Sequence, residues 1–418
     1  MRSAIRLAQR GRGMTSPNPM VGAVLVKYGK IIGRGWHRRA GGPHAEIEAL
    51  RDAQRRGHNP RGATLYVTLE PCCTHGRTPP CTEALIAAGI QRVAVGTMDP
   101  NPRHAGRAFK ILRRAGIEVT PPGSTGVLSA SSSFRNPATR RRDAGTLRAD
   151  TLAAECERLN EAFNHWIVHR TPFVTVKAAM TLDGKIATAS GESKWITGEK
   201  ARAHGMKLRQ GSDAILAGIN TILADDPSLT VRVGAPNSAS ARADLEIGAP
   251  RLRRIVLDSL ARTPLNAKVV SDQFAGLTTV VVSKRAPKNR MAALAKRVNV
   301  LIAPLVKNSS PATRHPSLDL KWLLKKLGAE NVTSLLVEGG GEVNASFLLG
   351  GFAQRVVFFY APKILGGRDS RKAVAGEGAE NLAKVIQLRD VEWKRLGSDL
   401  LLTARVFPQR HLGRVPPF

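Results

Sequence analysis

The sequence predicts an α/β fold in two domains, and three observations lead to this expectation. At 418 residues the chain is too long for one ordinary hydrophobic core. Short apolar stretches typical of strands alternate with amphipathic stretches typical of helices, which favours a mostly parallel sheet covered by helices. Residues 121–150 are rich in Pro, Gly, Ser and Arg and lack periodicity, so they divide the chain.

The first domain is expected to span residues 1–120. A short basic amphipathic helix opens it and ends at Gly11 and Gly13. Residues 20–35 are typical of a β-hairpin, because two apolar runs flank Tyr28-Gly29-Lys30. Helices and strands then alternate. The expected helices begin near residues 44, 82 and 106, and the expected strands cover 64–69, 92–96 and 117–120.

Residues 121–170 are expected to connect the domains, with an Arg-rich insertion at about 129–150 and a helix over 151–168. The second domain is expected to span 171–418, with a surface loop at 234–250. Its strands are predicted at 172–180, 213–217, 254–258, 278–283, 298–302, 334–337 and 355–360.

Composition restricts the class of protein. A formal charge of +32 and a pI near 11.2 favour anionic partners such as phosphorylated metabolites, phosphate cofactors or nucleic acid. The Arg residues are spread along the chain, so a generally Arg-rich composition is the favoured explanation of the charge. Apolar runs long enough to span a bilayer and a secretory h-region are both absent from the sequence, so a cytoplasmic location without a membrane partner is expected.

A metal-binding pattern lies in the first domain. His44-Ala45-Glu46 opens a helix, and Pro71-Cys72 and Cys81 follow. The signature of zinc nucleobase deaminases is His-x-Glu followed by Pro-Cys-x-x-Cys. Three ligands with an open position suit a catalytic zinc, which lowers the pKa of its water to about 7. The sequence therefore predicts zinc held by His44, Cys72 and Cys81, with Glu46 as the catalytic proton carrier.

Alternatives remain for the neighbouring residues. Each of the three ligands alone is compatible with a buried side chain that never meets a metal. Cys73 is expected to be a packing residue, because successive residues point apart. His37 and His75 are candidates for substrate contact, and satisfied polar histidines are an equally good interpretation. The cysteine spacing also departs from the general signature, since eight residues separate Cys72 from Cys81.

These motifs resemble the bifunctional deaminase–reductase family of riboflavin biosynthesis, and the resemblance covers nearly the whole chain. In that family the long cysteine spacing is the usual pattern. The deaminase motifs are Thr15-Ser16-Pro17-Asn18-Pro19-Met20-Val21-Gly22, Gly42-Pro43-His44-Ala45-Glu46, Thr68-Leu69-Glu70-Pro71-Cys72, Gly76-Arg77-Thr78-Pro79-Pro80-Cys81 and Asp99-Pro100-Asn101-Pro102. One departure is Cys73-Thr74-His75 where the family usually has Ser-His-His, and the Arg-rich insertion is another.

The second domain contains a glycine run, Glu338-Gly339-Gly340-Gly341, between an apolar strand and a helix. Such a turn lets backbone amides and a helix N-terminus approach a phosphate, although a tight turn that only glycine fits is an equal alternative. Trp195 is either a core residue or a ring beside a nicotinamide. Thr181-Leu182-Asp183-Gly184-Lys185, residues 191–197 and 223–232, Val256-Leu257-Asp258-Ser259 and Val337-Glu338-Gly339-Gly340 resemble the reductase half of the family.

The resemblance implies a cytidine-deaminase-like α/β/α domain followed by a dihydrofolate-reductase-like α/β domain that uses NADPH. The residues that would contact the cofactor are Ala179, Trp195, Thr221, Asp225, Ser259, Gly340, Gly341, Glu342, Val343, Asn344, Ala345 and Ser346. The residues that would contact the substrate are Ser193, Arg209, Leu229, Arg232 and Glu338. Arg209 and Arg232 suit a sugar phosphate, because a guanidinium offers forked donors to phosphate oxygens.

The implied function is deamination of 2,5-diamino-6-ribosylamino-4(3H)-pyrimidinone 5′-phosphate, followed by NADPH-dependent reduction of its ribosyl group to ribityl. Three alternatives stay open: a nucleic-acid-editing deaminase, a zinc-stabilised binding module, and a reductase domain that has lost its cofactor. An editing enzyme is disfavoured because Cys-x-x-Cys is absent and aromatic residues do not interleave with Arg clusters. A small phosphorylated pyrimidine is thus the expected partner, without nucleic acid, and a homo-oligomer stays open.

Overall fold

The structure, a computed structural model, describes residues 1–75, 79–124, 144–231, 252–306 and 317–407, of which 144–150 are described by their backbone alone. The chain divides into two compact units, Met1–Arg170 and Thr171–Phe418. The expected Arg-rich insertion therefore falls largely outside the described residues, as do the expected loop at 234–250 and Arg232. Among the described helices, none combines the length and apolar character needed to cross a membrane.

The first unit contains five strands and six helices within the described ranges. The strands are β1 (Gly22–Lys27), β2 (Lys30–Trp36), β3 (Thr64–Val67), β4 (Arg92–Val95) and β5 (Glu118–Thr120). The helices are α1 (Arg2–Ala8), α2 (Ala45–Arg55), α3 (Cys81–Ala87), α4 (Arg107–Arg114), α5 (Ala144–Leu159) and α6 (Glu161–His169).

The sheet of the first unit has the order β2-β1-β3-β4-β5. The hairpin β1–β2 and the pair β1–β3 are antiparallel, whereas β3, β4 and β5 run parallel. Alternate residues of β1 enter different cores: Ala23 and Leu25 pack with α2, α3 and α4, while Val24 packs with α1. Helices therefore cover both faces of this sheet, as an α/β/α sandwich requires.

The second unit contains eleven strands and six helices within the described ranges. The strands are β6 (Phe173–Thr181), β7 (Lys185–Ala187), β8 (Ala214–Gly218), β9 (Arg253–Leu257), β10 (Thr278–Ser283), β11 (Asn299–Ala303), β12 (Ser334–Val337), β13 (Arg355–Ala361), β14 (Arg371–Lys372), β15 (Leu388–Leu396) and β16 (Asp399–Val406). The helices are α7 (Glu199–Gln210), α8 (Ile219–Asp225), α9 (Lys268–Ser271), α10 (Lys288–Ala295), α11 (Leu320–Ala329) and α12 (Gly341–Leu349).

The main sheet of the second unit has the order β11-β10-β9-β8-β12-β6-β13-β16-β15. Neighbouring strands from β11 to β13 are parallel, and the last two pairs are antiparallel. Two cores lie on opposite faces, because Ala214 and Leu216 of β8 join one and Ile215 and Ala217 join the other. The carboxyl ends of the parallel strands thus meet at one edge, where ligands of α/β proteins bind.

The predicted α/β fold is confirmed, and the differences are local. The helix expected over 151–168 is two helices that meet at Asn160, with α5 beginning at Ala144. The antiparallel pair β15–β16 was not foreseen, because the nine residues of β15 are mostly polar and exposed and show no apolar alternation. The domain boundaries proposed from the sequence place residues 121–170 between the domains, whereas α5 and α6 belong to the first compact unit.

Candidate functional site

The start of helix α2 brings a histidine and a carboxylate to the sheet of the first unit. His44 is the N-cap residue of α2, and Glu46 lies in its first turn with 3 % of its surface exposed. The helix can approach β2 closely because Gly35 has no side chain: a Cβ there would lie 2.2 Å from the Ala45 carbonyl oxygen. Gly35 therefore allows α2 to pack directly against β2, and this packing positions His44 and Glu46.

Two cysteines from different segments meet this histidine. Cys72 lies in the loop after β3, and Cys81 is the first residue of α3. The His44 Nδ1 atom lies 3.4 Å from Cys72 Sγ and 3.3 Å from Cys81 Sγ. The Cys81 N–H donates to Cys72 Sγ at 3.3 Å. The two ends of the segment between the cysteines therefore lie side by side.

The three side chains suit a tetrahedral zinc ion. Their ligand atoms all lie within 4.8 Å of one another. Zinc bond lengths of about 2.3 Å to sulfur and 2.0 Å to nitrogen give a tetrahedral edge of about 3.6 Å between the two kinds of ligand atom. The distances from His44 to Cys72 and Cys81 come within 0.3 Å of that edge. Neutral imidazole plus two thiols is a donor set typical of zinc sites.

The electrostatics of this cluster favour proton exchange near neutral pH. Burial raises the pKa of Glu46 to about 7, and the neighbouring Cys72 adds to this effect. The Cys81 thiol and backbone N–H, which lie against Cys72, lower the pKa of Cys72 to about 4. Thiolate is the form that binds metal. The site therefore offers one ready thiolate and one carboxyl group that can change its protonation at neutral pH.

A second histidine is fixed beside the cluster. His37 is 2 % exposed, and its ring meets the His44 ring edge-on at 5.3 Å. Its Nδ1 donates to the Pro43 carbonyl at 3.0 Å, and its Nε2 accepts from the Asn18 amide at 3.2 Å. A carbonyl only accepts and an Asn nitrogen only donates, so these partners define one neutral tautomer. Burial also lowers the pKa of His37.

Two buried side chains hold the surrounding loops. The Glu70 carboxylate accepts hydrogen bonds from the N–H groups of Asp99, Gly106 and Ala108, at 3.2, 2.9 and 3.1 Å. The Asn160 amide, at the junction of α5 and α6, accepts from the Met20 N–H at 2.8 Å and donates to the Met20 carbonyl at 2.9 Å. The segment that carries Asn18 is therefore tied to a residue 140 positions away from Met20.

The other sequence candidates of this unit lie around the cluster. Cys73 is half-buried and its Sγ lies 4.0 Å from the His104 Nδ1, so it contacts a residue that the sequence did not single out. Thr74 and His75 are exposed. Arg77 lies outside the described residues.

In the second unit, two glycines of the run allow close packing, and the third has fewer close neighbours. A Cβ at Gly341 would lie 2.3 Å from the Lys372 carbonyl oxygen, and one at Gly339 would lie 2.5 Å from Val343. Gly340, the N-cap of α12, differs: a Cβ there would meet Thr221 Oγ1 at 3.8 Å. The tight-turn interpretation therefore applies to Gly339 and Gly341, whereas a phosphate contact at Gly340 stays a prediction.

Two of the expected substrate residues are bound to each other. Arg209 donates from Nε and Nη2 to the two Glu338 carboxylate oxygens at 2.9 and 2.8 Å, and from Nη1 to the Thr230 carbonyl at 2.9 Å. Lys177 lies 3.5 Å from the same carboxylate. Burial alone would raise the pKa of Glu338, but the cations Lys177 and Arg209 outweigh it and lower the pKa to about 2. The cluster holds two cations and one carboxylate.

The remaining candidates lie in loops and in helix α8, apart from Ala179 on strand β6. Ser193 Oγ donates to Asp225 at 2.9 Å, so these two expected contacts adjoin each other. Trp195 is 63 % exposed, and the Arg202 guanidinium lies 4.6 Å from the centre of its ring. Leu229 is 2 % exposed and packs in the core, which leaves its backbone for any substrate contact.

Within α12, the expected cofactor residues differ in exposure. Asn344 and Ala345 are buried, and the Asn344 amide donates to the Ala373 carbonyl at 2.8 Å. Glu342 and Ser346 are exposed, and the Ser346 hydroxyl donates to the Glu342 carbonyl at 2.8 Å. Val343 packs close to Gly339. The contacts assigned to this helix remain predictions.

Sequence reasoning missed Lys177 and Asn160. A lysine in the apolar run of β6 is the signal that could have found Lys177, because it shares the less buried face of that strand with Ala179. Asn160 gave no signal, since a buried asparagine between two helices looks like an ordinary helix cap in the sequence.

Comparison with known families and proteins agrees with this geometry. Residues 1–97 match the cytidine and deoxycytidylate deaminase zinc-binding region, and residues 172–402 match the RibD C-terminal domain. The riboflavin biosynthesis protein RibD of Actinobacillus pleuropneumoniae is 39% identical over 402 residues, covering 96% of this chain and 93% of that protein. The RibD of Escherichia coli is 38% identical over 403 residues, covering 96% and 97%.

Solved structures show the same likeness. Acinetobacter baumannii RibD aligns with a TM-score of 0.75 and 33% identity, covering 97% of both chains. A diaminohydroxyphosphoribosylaminopyrimidine deaminase/5-amino-6-(5-phosphoribosylamino)uracil reductase of Thermotoga maritima aligns with a TM-score of 0.73 and 32% identity, again over 97% of both. The resemblance stated from the motifs is thereby confirmed, as are the two enzymatic halves and their cofactors, zinc and NADPH. The chain belongs to the RibD family, the bifunctional deaminase–reductases of riboflavin biosynthesis.

Proposed function

We propose that the chain acts twice on one phosphorylated pyrimidine. The first unit would deaminate 2,5-diamino-6-ribosylamino-4(3H)-pyrimidinone 5′-phosphate, and the second would reduce the ribosyl group of 5-amino-6-(5-phosphoribosylamino)uracil to ribityl. The observation that carries the proposal is the convergence of His44, Cys72 and Cys81 beside the buried carboxyl group of Glu46. The printed name of the Thermotoga maritima relative contains both activities.

For the deamination, His44, Cys72 and Cys81 would hold zinc. Zinc, when bound, supplies a Lewis acid that lets water ionise near neutral pH. Glu46 would accept the proton from that water and return it to the departing amine, which a carboxyl group with a pKa of about 7 does efficiently at neutral pH. His37 would support the His44 ring, against which it lies edge-on, because both of its own nitrogens are bonded to Asn18 and Pro43.

For the reduction, NADPH supplies the hydride when bound. Ser193, Arg209, Leu229, Arg232 and Glu338 would contact the substrate. Glu338 would act mainly by holding Arg209 and Lys177 in place, because its carboxylate lies against both cations. Two cations to one carboxylate leave a positive charge, which suits a phosphorylated substrate.

NADPH would lie along the carboxyl ends of the parallel strands. Its proposed contacts are Ala179, Trp195, Thr221, Asp225, Ser259 and the seven consecutive residues from Gly340 to Ser346. Gly340 supports this placement, because it is the N-cap of α12 and the Thr221 hydroxyl lies beside it.

The proposal also covers partners and location. A free phosphorylated nucleotide, with neither nucleic acid nor a membrane as partner, would be processed in the cytoplasm, and a homo-oligomer is compatible with the sequence. The loop between Cys72 and Cys81 supports a free nucleotide over a nucleic-acid strand, because strand-editing enzymes of the general signature carry Cys-x-x-Cys.

The test is a parallel assay on the full-length protein. Ammonia release from the diaminopyrimidine nucleotide and from single-stranded RNA would be measured, with NADPH oxidation and zinc content recorded on the same preparation. We expect about one zinc per chain, ammonia from the nucleotide alone, and NADPH oxidation that follows deamination. Ammonia release from RNA, or none from the nucleotide by the zinc-loaded protein, would contradict the proposal.

A further inference from the structure

A rigid turn follows strand β9 and carries an exposed arginine, Arg262. The Asp258 carboxylate accepts hydrogen bonds from the Thr263 N–H and hydroxyl, both at 2.7 Å. Arg290 donates to the carbonyls of Ala261 and Thr263, at 3.0 and 3.2 Å. The residues on either side of Arg262 are thus fixed and fully buried, while Arg262 itself faces solvent. Its position is set before any ligand binds.

The Arg262 side chain points towards residues that belong to the proposed cofactor site. Its Nη2 donates to Asn220 Oδ1 at 3.1 Å, and Asn220 precedes Thr221 in α8. Three residues before Arg262 is Ser259, whose carbonyl accepts from the Ser283 N–H at 3.0 Å and hydroxyl at 2.8 Å. Arg262 therefore lies near two of the proposed NADPH contacts, Thr221 and Ser259.

The order of the strands places this turn within reach of a dinucleotide that would bind at the N-terminus of α12. Helix α12 begins after β12, and β8 alone separates β12 from β9. With strands about 4.8 Å apart, the carboxyl ends of β12 and β9 are about 10 Å from each other. With a diphosphate at the N-terminus of α12 and Ser259 among the proposed contacts, the adenosine ribose would lie beside the turn after β9.

The surroundings of the turn are positively charged. Lys284 and Arg285 follow the adjacent strand β10 and are exposed. Among the described residues no ion pair involves Arg262, Lys284 or Arg285: the carboxylate in the turn, Asp258, is bonded to Thr263, and Asp226 pairs with Lys268. The three cations at this edge therefore keep their charge for an anion.

We propose that Arg262 binds the 2′-phosphate of NADPH and so selects NADPH over NADH. This inference rests on the proposed reductase function. It adds the residue that contacts the 2′-phosphate, the one group that distinguishes NADPH from NADH. A guanidinium offers two parallel donors to a phosphate. Lys284 and Arg285 add charge at the same edge without a fixed geometry.

The test measures binding, so that it does not depend on turnover. The full-length protein would be titrated calorimetrically with adenosine 2′,5′-bisphosphate and with 5′-AMP, which lacks the 2′-phosphate, at one ionic strength. Arg262→Ala should weaken bisphosphate binding roughly 10- to 100-fold and leave 5′-AMP binding nearly unchanged. The bisphosphate affinity of Arg262→Lys should lie between those of the unchanged protein and Arg262→Ala, because lysine keeps the charge but lacks the paired donors of the guanidinium.

A matched control is Arg297→Ala. Arg297 is also exposed and donates to one backbone carbonyl, that of Leu265, at 2.7 Å. We expect it to bind both nucleotides as the unchanged protein does. The ratio of NADPH to NADH dissociation constants should change with Arg262→Ala alone, and ammonia release by the first unit should be unaffected in every variant.

Three results would overturn the inference: equal affinity of the unchanged protein for the two nucleotides, full discrimination by Arg262→Ala, or an equal loss for both ligands. Failure of the proposed reductase function has a different signature, because then the unchanged protein would not oxidise NADPH with the pyrimidine substrate whatever its binding preference.

Discussion

The two charged clusters of this chain are built in opposite ways. In the first unit, two thiols, an imidazole and a buried carboxyl group converge, and among the described residues no lysine or arginine forms an ion pair with Glu46. In the second unit, Arg209 and Lys177 lie against Glu338, so the chain itself neutralises one of the two positive charges and leaves the other. The first cluster therefore suits a cation from outside, whereas the second suits an additional anion.

This contrast predicts that the first site is most sensitive to loss of a ligand. Cys81→Ala removes one of three zinc donors and should lower deamination at least a thousandfold, because the metal supplies the reactive water. Zinc content measured by mass spectrometry should fall with it, while NADPH oxidation on the deaminated substrate is retained.

Cys156→Ala is the matched control for that change. Cys156 is also a fully buried thiol of the first unit, but it packs against Ile5 and Leu152 away from the cluster. We expect it to keep zinc and activity. Equal zinc loss in both variants would mean that Cys81 acts through general packing.

The second site should instead be sensitive to loss of the one carboxylate that lies between its two cations. Glu338→Gln leaves Arg209 and Lys177 without their carboxylate and should destabilise the second unit by about 3 kcal/mol, as breaking a buried pair does. Reductase activity should fall about a hundredfold while ammonia release is kept. Glu330→Gln, which removes an exposed partner of Arg253, is the control and should cost less than about 1 kcal/mol.

The same balance predicts a pH dependence of stability. The pKa of Glu338 is about 2 in the folded protein and 4.5 as its reference value, so its contribution is present above pH 4.5 and lost as the pH falls towards 2. Linkage gives a loss of about 2 kcal/mol between pH 5 and pH 3. Urea unfolding of the second unit should show this extra loss in the unchanged protein and not in Glu338→Gln. Identical slopes for the two proteins would contradict the prediction.

A smaller effect is expected from the tie between α6 and the loop of the first site. Asn160→Asp keeps an acceptor for the Met20 N–H but removes the donor to the Met20 carbonyl. Because the same loop carries Asn18, which fixes His37, the deamination KM should rise about tenfold with little change in zinc content.

Asn164→Asp provides the comparison for this loop. The Asn164 amide donates to the Glu157 carbonyl within the helix pair, at 3.3 Å, and does not reach the loop. Its deamination KM should stay unchanged. A rise in KM of the same size in both variants would attribute the effect to helix stability.

The sequence was sufficient for the first cluster because its chemistry is compact and specific. His44, Glu46, Cys72 and Cys81 are residue types that combine in few ways other than a metal site, and helix starts position three of them. The fold followed from the same alternation of strands and helices. Arg209 and Glu338 were found only through the family resemblance, since single charged residues give no spacing signal.

What the sequence could not supply is pairing between distant segments. The hydrogen bonds of Asn160 to Met20 join residues 140 positions apart, and the carboxylate that Arg209 meets lies 129 positions away. Such contacts depend on the tertiary arrangement, which periodicity does not encode. The strand β15 was missed for a related reason, because an exposed edge strand needs no apolar face.

The most direct test of the central account is Glu46→Gln in the full-length protein, assayed for three quantities. Glutamine keeps the size of the side chain and removes its proton exchange. We predict that ammonia release falls at least a hundredfold, zinc remains at about one per chain, and NADPH oxidation on 5-amino-6-(5-phosphoribosylamino)uracil is unchanged. Near-normal ammonia release with zinc bound would contradict the role of Glu46, and a parallel loss of NADPH oxidation would contradict the separation of the two sites.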